Sequence, residues 1–442
     1  MFRRKEMQLD RIKSKLEKAL RKDTAFSVFG ASSHKYKVNE KLRAKELTEW
    51  QEKNQVTLPE PYTQFLTEIG NGGAGPYYGI YSIEKATSYT DSDDALAAKC
   101  VLYPSMPKEE WNHLIEPLIS DEDIPDSEYD AARNMVMSGL LCIGTQGCEY
   151  DMYLVLEGEH KGKIVYTSAF YSNHPFFFVY DNNFLDWYER WLDEIILDYD
   201  ISWFGSRMPG NENELIEVYQ NAPNEEIKSK ALDGMFKFKK ISQPSINFLK
   251  SVADQDQKER IKAIRLICKT SVDAGRNYLL ELLHSNRNED LLQALMIVNS
   301  YSKTVDSSDF IKVIVQSLDR VNDPETLRYA GYVLEYSGTI TIQNFSRFLC
   351  HSDSSIQSAA IYATRNCNDK LESWAIIKQM LMGGDKEVVK NSILYWDVIP
   401  HEKLLPYYKA VWPEYKSNLN LREKFIDCLK ELKLSDDYFD KE

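Results

Sequence analysis

Residues 58–81 read Leu-Pro-Glu-Pro-Tyr-Thr-Gln-Phe-Leu-Thr-Glu-Ile-Gly-Asn-Gly-Gly-Ala-Gly-Pro-Tyr-Tyr-Gly-Ile-Tyr, a proline-led helix, a glycine-rich break and an aromatic run in direct succession. Pro59 or Pro61 starts a helix without losing a hydrogen bond, because its missing N–H would face no partner in a first turn; Glu60 suits the positive N-terminal end. Tyr62, Phe65, Leu66 and Ile69 then fall on one apolar face. Gly70, Asn71, Gly72 and Gly73 tolerate positive φ and end the helix, and Pro76 blocks its continuation. Residues 77–81 are expected as an extended run that enters the first strand.

A glycine-rich loop that cradles phosphate follows a strand and opens a helix. Here the order is reversed, and no Gly-Lys-Ser/Thr is present, so the glycines read as a structural turn. A second block supplies Ile143-Gly144-Thr145-Gln146-Gly147-Cys148-Glu149-Tyr150-Asp151, then Leu154-Val155-Leu156, Gly158 and Gly162-Lys163-Ile164-Val165. A helix at 184–192 with Trp187 and Trp191 at i,i+4 closes it, those rings covering a sheet.

Together, Leu58-Pro59, Tyr62, Phe65-Leu66, Gly70-Asn71-Gly72-Gly73 and the second block with Gly147 resemble the SUKH superfamily of bacterial immunity proteins and fungal cell-wall assembly regulators. The resemblance spans residues 40–200, with a long acidic stretch at 105–135 between the two blocks. It implies a non-enzymatic protein-binding role, which many members exert by neutralising a toxin through direct contact.

Sequence patterns place strands at 140–143, 152–156, 163–166 and 176–180, so the first domain is expected to be α+β, mainly an antiparallel sheet flanked by helices. Leu9, Ile12, Leu16 and Leu20 make a narrow apolar stripe among lysines and arginines. Without aromatic anchors, that helix is expected to pack on its own domain rather than lie on a membrane. Beyond residue 210 strand signals fade. Ala231, Ala263, Ala294, Ala330, Ala360 and Ser392 recur at spacings of 32, 31, 36, 30 and 32 residues within helical apolar patterns, the mark of stacked helical hairpins. This all-α region resembles the HEAT-like repeat class. Asp254, Asn288, Asp323, Asp353 and Asp385 precede successive first helices and suit N-cap or loop roles. The expected division is therefore 1–40 as a basic amphipathic helix and linker, 41–205 as the SUKH-like domain, and 210–442 as helical repeats.

Charge is uneven along the 442 residues. The formal net charge is −14, yet residues 1–48 hold fourteen Lys/Arg against six Asp/Glu. Between Glu84 and Asp130 stand thirteen acidic residues and three lysines. An acidic body disfavours nucleic acid and favours basic partners. No apolar run reaches the eighteen or so residues of a membrane span, the N-terminus lacks a signal-peptide core, and seven scattered cysteines read as reduced core residues, so a bacterial cytoplasmic protein is expected.

Catalytic patterns are weak. The seven histidines have no metal spacing, no Cys-x-x-Cys occurs, and Asp91, Asp93 and Asp94 lack the glycine and glutamate of a calcium loop. Cys148, Asp151 and His160 are close in sequence, but they sit in a strand-turn-strand unit where Cys148 reads as packing. No enzyme activity, metal or cofactor is expected.

Candidate partner contacts are Tyr77, Tyr78 and Tyr81 by the glycine loop, with Asp121, Glu122, Asp123, Glu149 and Asp151 as acidic positions. Pro59, Tyr62, Phe65, Gly70, Asn71, Gly72, Gly73 and Gly147 serve the fold. The sequence points to a protein partner, a basic toxin domain above all; the alternative is a scaffold or regulatory adaptor that recruits partners through its helical repeats. Oligomeric state is not encoded in any pattern found.

Overall fold

The computed structural model describes residues 2–89, 93–119, 124–147, 150–168, 176–383 and 385–441. The chain forms two units, Met1–Ser245 and Ile246–Glu442.

In the first unit a four-stranded antiparallel sheet lies among helices. Strands β1 (Leu140–Thr145), β2 (Tyr150–Val155), β3 (Ile164–Ser168) and β4 (Phe177–Phe178) pair in chain order. Met152, Tyr153, Leu154, Ile164, Val165 and Tyr166 are buried, as the apolar runs of a sheet covered by helices require. The register sets Thr145 opposite Asp151, with a bulge between Cys142 and Gly144. The expected strand at 176–180 narrows to Phe177–Phe178, paired with Tyr166 and Val165.

Helix α1 (Phe2–Lys22) packs Leu9, Ile12, Leu16 and Ala19 into this core, against α2 (Phe184–Ile196). Its polar side is fixed as well: Glu189 of α2 accepts from Arg11 Nε at 2.8 Å and Lys15 Nζ at 2.8 Å, and Asp186 accepts from Gln8 at 2.9 Å. Several charges converging on one mostly buried carboxylate hold a helix more firmly than a single surface pair, which is worth under about 1 kcal/mol. The basic residues of the N-terminus are thus partly consumed inside the unit.

The glycine-rich segment keeps the expected start. Pro59 precedes a short helix, Glu60–Gln64, which opens into a π turn, Phe65–Ile69, and stops at Gly70. Tyr62, Phe65, Leu66 and Ile69 are all buried. Residues 76–79 form a turn where an extended run was expected from residue 77. Gly79 N–H donates to Pro76 O at 3.0 Å, closing that turn with Tyr77 at φ 55°, and Gly73 bridges Ile80. A left-handed residue inside a four-residue turn cannot continue an extended ladder. The chain regains sheet contact only at Tyr81, whose N–H donates to Ile143 O of β1 at 2.8 Å.

The stretch 105–135 contains the helices Lys108–Ile119 and Asp126–Val136, which anchor on the core through Trp111, Ile115 and Val136.

The second unit is all helical. First helices Arg260–Thr270, Asn288–Tyr301, Pro324–Tyr336, Ser354–Ala363 and Lys386–Trp396 alternate with second helices Val272–His284, Ser308–Ser317, Ile342–Leu349, Trp374–Met382 and Leu405–Tyr415. Ala263, Ala294, Ala330, Ala360 and Ser392 are buried, each on a first helix. Asp323, Asp353 and Asp385 cap their helices, accepting from Thr326, Ser355 and Val388 N–H at 2.8, 2.8 and 3.0 Å. Two of the expected capping positions act otherwise. Asp254 lies in the last turn of the helix Gln243–Gln255, accepting from Tyr278 Oη at 2.9 Å, and Asn288 is a first helical residue whose side chain donates to Thr326 Oγ1 at 3.0 Å in the next repeat. Both join neighbouring helices, a demand invisible to local spacing.

Candidate protein-contact site at the glycine loop

The loop is built by backbone in close register. Gly72 has φ 82°, and a Cβ there would sit 2.6 Å from the Tyr81 carbonyl carbon. Gly73 exchanges two 2.8 Å hydrogen bonds with Ile80, and Ala74 N–H donates to Lys37 O at 2.7 Å. Asn71 clamps the ends, its Oδ1 accepting from Ile83 N–H at 2.8 Å and its Nδ2 donating to Glu84 at 3.1 Å. Three chain segments therefore meet at the glycines with no room for side chains.

His34 lies beneath this frame, edge-on to Trp191 at 5.8 Å, and its Nδ1 accepts from Tyr36 N–H at 3.0 Å. Burial pushes the imidazole down to about 4, against the opposing pull of backbone hydrogen bonding at Gly75 and Tyr77 and of the Asp23 charge. A neutral ring is the form that fits. Tyr36 Oη donates to the buried Asp23 carboxylate at 2.8 Å, extending the support back to the end of α1.

The three tyrosines separate. Tyr77 is buried, its hydroxyl donating to Phe204 O at 2.8 Å. Tyr81 is buried too, stacked on Tyr89 at 5.2 Å with Lys85 Nζ 3.9 Å from its ring centre. Tyr78 is the one that faces out, 43% exposed, edge-to-face with Phe29 at 5.4 Å; Phe29 is itself 51% exposed. At its other side the Tyr78 ring meets Gly147, where φ is 116° and a Cβ would stand 3.0 Å from Tyr78 Cε2. Thr145 Oγ1 accepts from Gly147 N–H at 3.0 Å, holding Gly147 at the end of β1.

Asp151 pairs with Thr145 across the hairpin and is half-buried. Burial raises its carboxyl above the ordinary range, and a hydrogen bond from the Thr145 side chain opposes the shift. Asp121, Glu122, Asp123 and Glu149 lie outside the described residues, as does Cys148. Pro59, Tyr62, Phe65, Gly70, Asn71, Gly72 and Gly73 stand together in the frame, and Gly147 touches it through Tyr78.

At the loop the arrangement offers an aromatic surface, Tyr78 with Phe29. Asp151 lies at the start of β2 and His160 in the turn beyond its far end, where His160 packs 5.6 Å from Phe178. Strand rise separates them by more than about 13 Å. Burial pushes the nearby Cys142 thiol up to about 12, leaving it protonated and unreactive at neutral pH. Among the described residues no group of three His, Cys, Asp or Glu side chains could hold a metal ion, and no helix is long and apolar enough to cross a membrane.

Sequence reasoning missed Phe29. Its one signal was the adjacent glycine: Gly30 has φ 82° and abuts the Tyr77 carbonyl, so the Phe29-Gly30 pair docks on the loop from far upstream. Arg190, whose side chain is 11% exposed, was also missed. It makes a two-pronged contact with Asp181, at 2.9 and 2.6 Å, and reaches Glu194 at 3.0 Å.

Residues 41–190 match the sequence model of the SMI1 / KNR4 family (SUKH-1), a stretch that takes in the glycine loop, the sheet and half of α2. Comparisons with curated proteins and with solved structures return no match for the chain.

Proposed function

We propose that the SUKH-1-like segment is a non-catalytic module that binds a protein partner through the outward face of the glycine loop, and that the partner is a basic toxin domain neutralised by direct contact. The observation that carries the reading is the Phe29–Tyr78 pair: two large exposed rings held edge-to-face on a frame whose glycines leave no room for side chains. Preorganised aromatics lose little entropy on binding and dominate interface energetics. The family match favours a binding role over catalysis, since SUKH-1 domains are generally binding modules. A net charge of −14 supports the choice of a basic partner, because complementary charge accelerates encounter and suppresses wrong partners. In this reading Tyr78 and Phe29 anchor the contact, Asp151 borders it, and Glu149 with Asp121, Glu122 and Asp123 supply acidic steering. Tyr77 and Tyr81 hold the frame from below.

The test is purification of the full chain from its native host, as wild type and as Tyr78→Ala. A basic toxin domain recovered in equal amount with the wild type and lost with the variant is the expected result. Recovery of the same partner by both proteins would remove the loop face from the contact. A non-basic partner would remove the toxin reading.

A further inference from the structure

The first helices of the second unit stack directly on one another, and at one of these contacts Gly331 meets Ala363, where a Cβ on the glycine would stand 2.4 Å from the alanine Cβ. From the helix Asn288–Tyr301 onward the second helices touch one another more sparsely. In a row of hairpins the layer whose members are closer is the inner side of the curve.

On that layer a row of half-exposed tyrosines crosses from repeat to repeat. Tyr332 and Tyr362 each come two positions after the buried small residue of their helix, Ala330 and Ala360, and Tyr395 comes three after Ser392. Their rings meet edge-to-face, Tyr332 to Tyr362 at 6.1 Å and Tyr362 to Tyr395 at 5.1 Å. Met296, two after Ala294, takes the corresponding place one repeat earlier. The row is bordered by cations. The Arg365 guanidinium lies 4.4 Å from the centre of Tyr362, and the exposed Arg328, one turn before Tyr332 on the same helix face, has no ion-pair partner among the described residues. Glu335, held by Arg365 at 2.8 Å, is the acid in contact with the row.

From this geometry we infer that the tyrosine row of the second unit binds an extended acidic segment of a partner protein, a surface separate from the glycine-loop face. A ring spacing of 5 to 6 Å is close to the advance of two residues in an extended chain, about 6–7 Å, so alternate side chains of such a segment reach successive tyrosines. Tyrosine combines a flat apolar face with a hydroxyl that can serve the backbone of the occupant. Charge selects the occupant: Arg365 is already paired with Glu335, and the exposed Arg328, unpaired among the described residues, is the cation left on the row for a carboxylate of the segment to meet.

The probe is a fluorescein-labelled twelve-residue peptide of alternating Glu and Thr, whose β-branched residues favour the extended chain that sets every second side chain on one face, with alternating Lys and Thr as its counterpart. Fluorescence anisotropy with the full chain is expected to show saturable binding of the acidic peptide that weakens with salt. Arg328→Glu and Tyr395→Ser, both at exposed positions, should each weaken it at least tenfold while circular dichroism and thermal unfolding stay unchanged. No saturation, equal binding of the lysine peptide, or binding indifferent to both variants overturns the inference. So does dimerisation of the full chain that Tyr395→Ser abolishes, which would assign the row to a second copy.

Discussion

The Tyr78 ring lies against Gly147, so near that a Cβ on the glycine would stand 3.0 Å from Tyr78 Cε2. One residue belongs to the glycine loop and the other to the β1–β2 hairpin, and the contact aims the exposed ring. Gly147→Ala adds that Cβ at φ 116°, where an L side chain is itself strained by about 1–3 kcal/mol. Gly147→Ala should therefore lower stability by about 1–3 kcal/mol and displace Tyr78, weakening the partner contact as well. Tyr78→Ala removes an exposed ring and should change stability by under about 0.5 kcal/mol. Chemical unfolding of both variants beside a binding assay separates framing from contact; a large stability loss in Tyr78→Ala would show that the ring is part of the core.

His34 predicts an acid-sensitive glycine loop. Its folded pKa of about 4 lies below the unfolded value near 6.5, so between these pH values the unfolded chain binds the extra proton. Stability contributed by the neutral ring is complete above pH ~6.5 and is lost as pH falls toward about 4. The shift corresponds to at most about 3 kcal/mol, less what residual solvent screens. Denaturation midpoints measured across this range should flatten in His34→Gln; an unchanged slope would acquit the histidine.

Lys237 is 1% exposed, its ammonium donating to Met208 O at 2.8 Å with Glu194 3.9 Å away. Burial lowers it to about 8, below its usual 10.5, so the unfolded chain is the more protonated state between those values. Wild-type stability relative to Lys237→Met should thus rise by about 3 kcal/mol as pH climbs from 8 to 10.5. Comparing the two proteins cancels the tyrosines that titrate in the same region. A difference that stays constant with pH would mean the amine is solvated in the folded state.

Gly331 sets two helical effects against each other. Alanine is the better helix former by about 1 kcal/mol, but its Cβ would stand 2.4 Å from that of Ala363, with no flexible side chain to move aside. Overpacking of this sort costs about 1–3 kcal/mol, so Gly331→Ala should be net destabilising and Gly331→Val more so. A melting temperature raised by Gly331→Ala would show that the two helices can separate freely.

The parts of this protein that were legible in sequence are those with local causes. Proline led a helix at Glu60, glycine stopped it at Gly70, and a small residue every thirty-odd positions marked the buried face of each first helix. Chain chemistry acts there over a few bonds or a few turns, so spacing alone records it. The same periodicities distinguish an α+β unit from the all-helical one after it.

Tertiary structure decided what depends on distant partners. Tyr77, Tyr78 and Tyr81 look alike along the chain, yet two are buried and only Tyr78 faces solvent, because a turn at Pro76 rotates the backbone between them. Phe29 joins Tyr78 across nearly fifty residues, Lys237 is buried although lysine usually seeks water, and Asp254 serves Tyr278 rather than a helix start. Periodicity reports which face of an element is apolar. Only the packing of the elements settles which neighbour covers that face, and so which ring or charge is left for a partner.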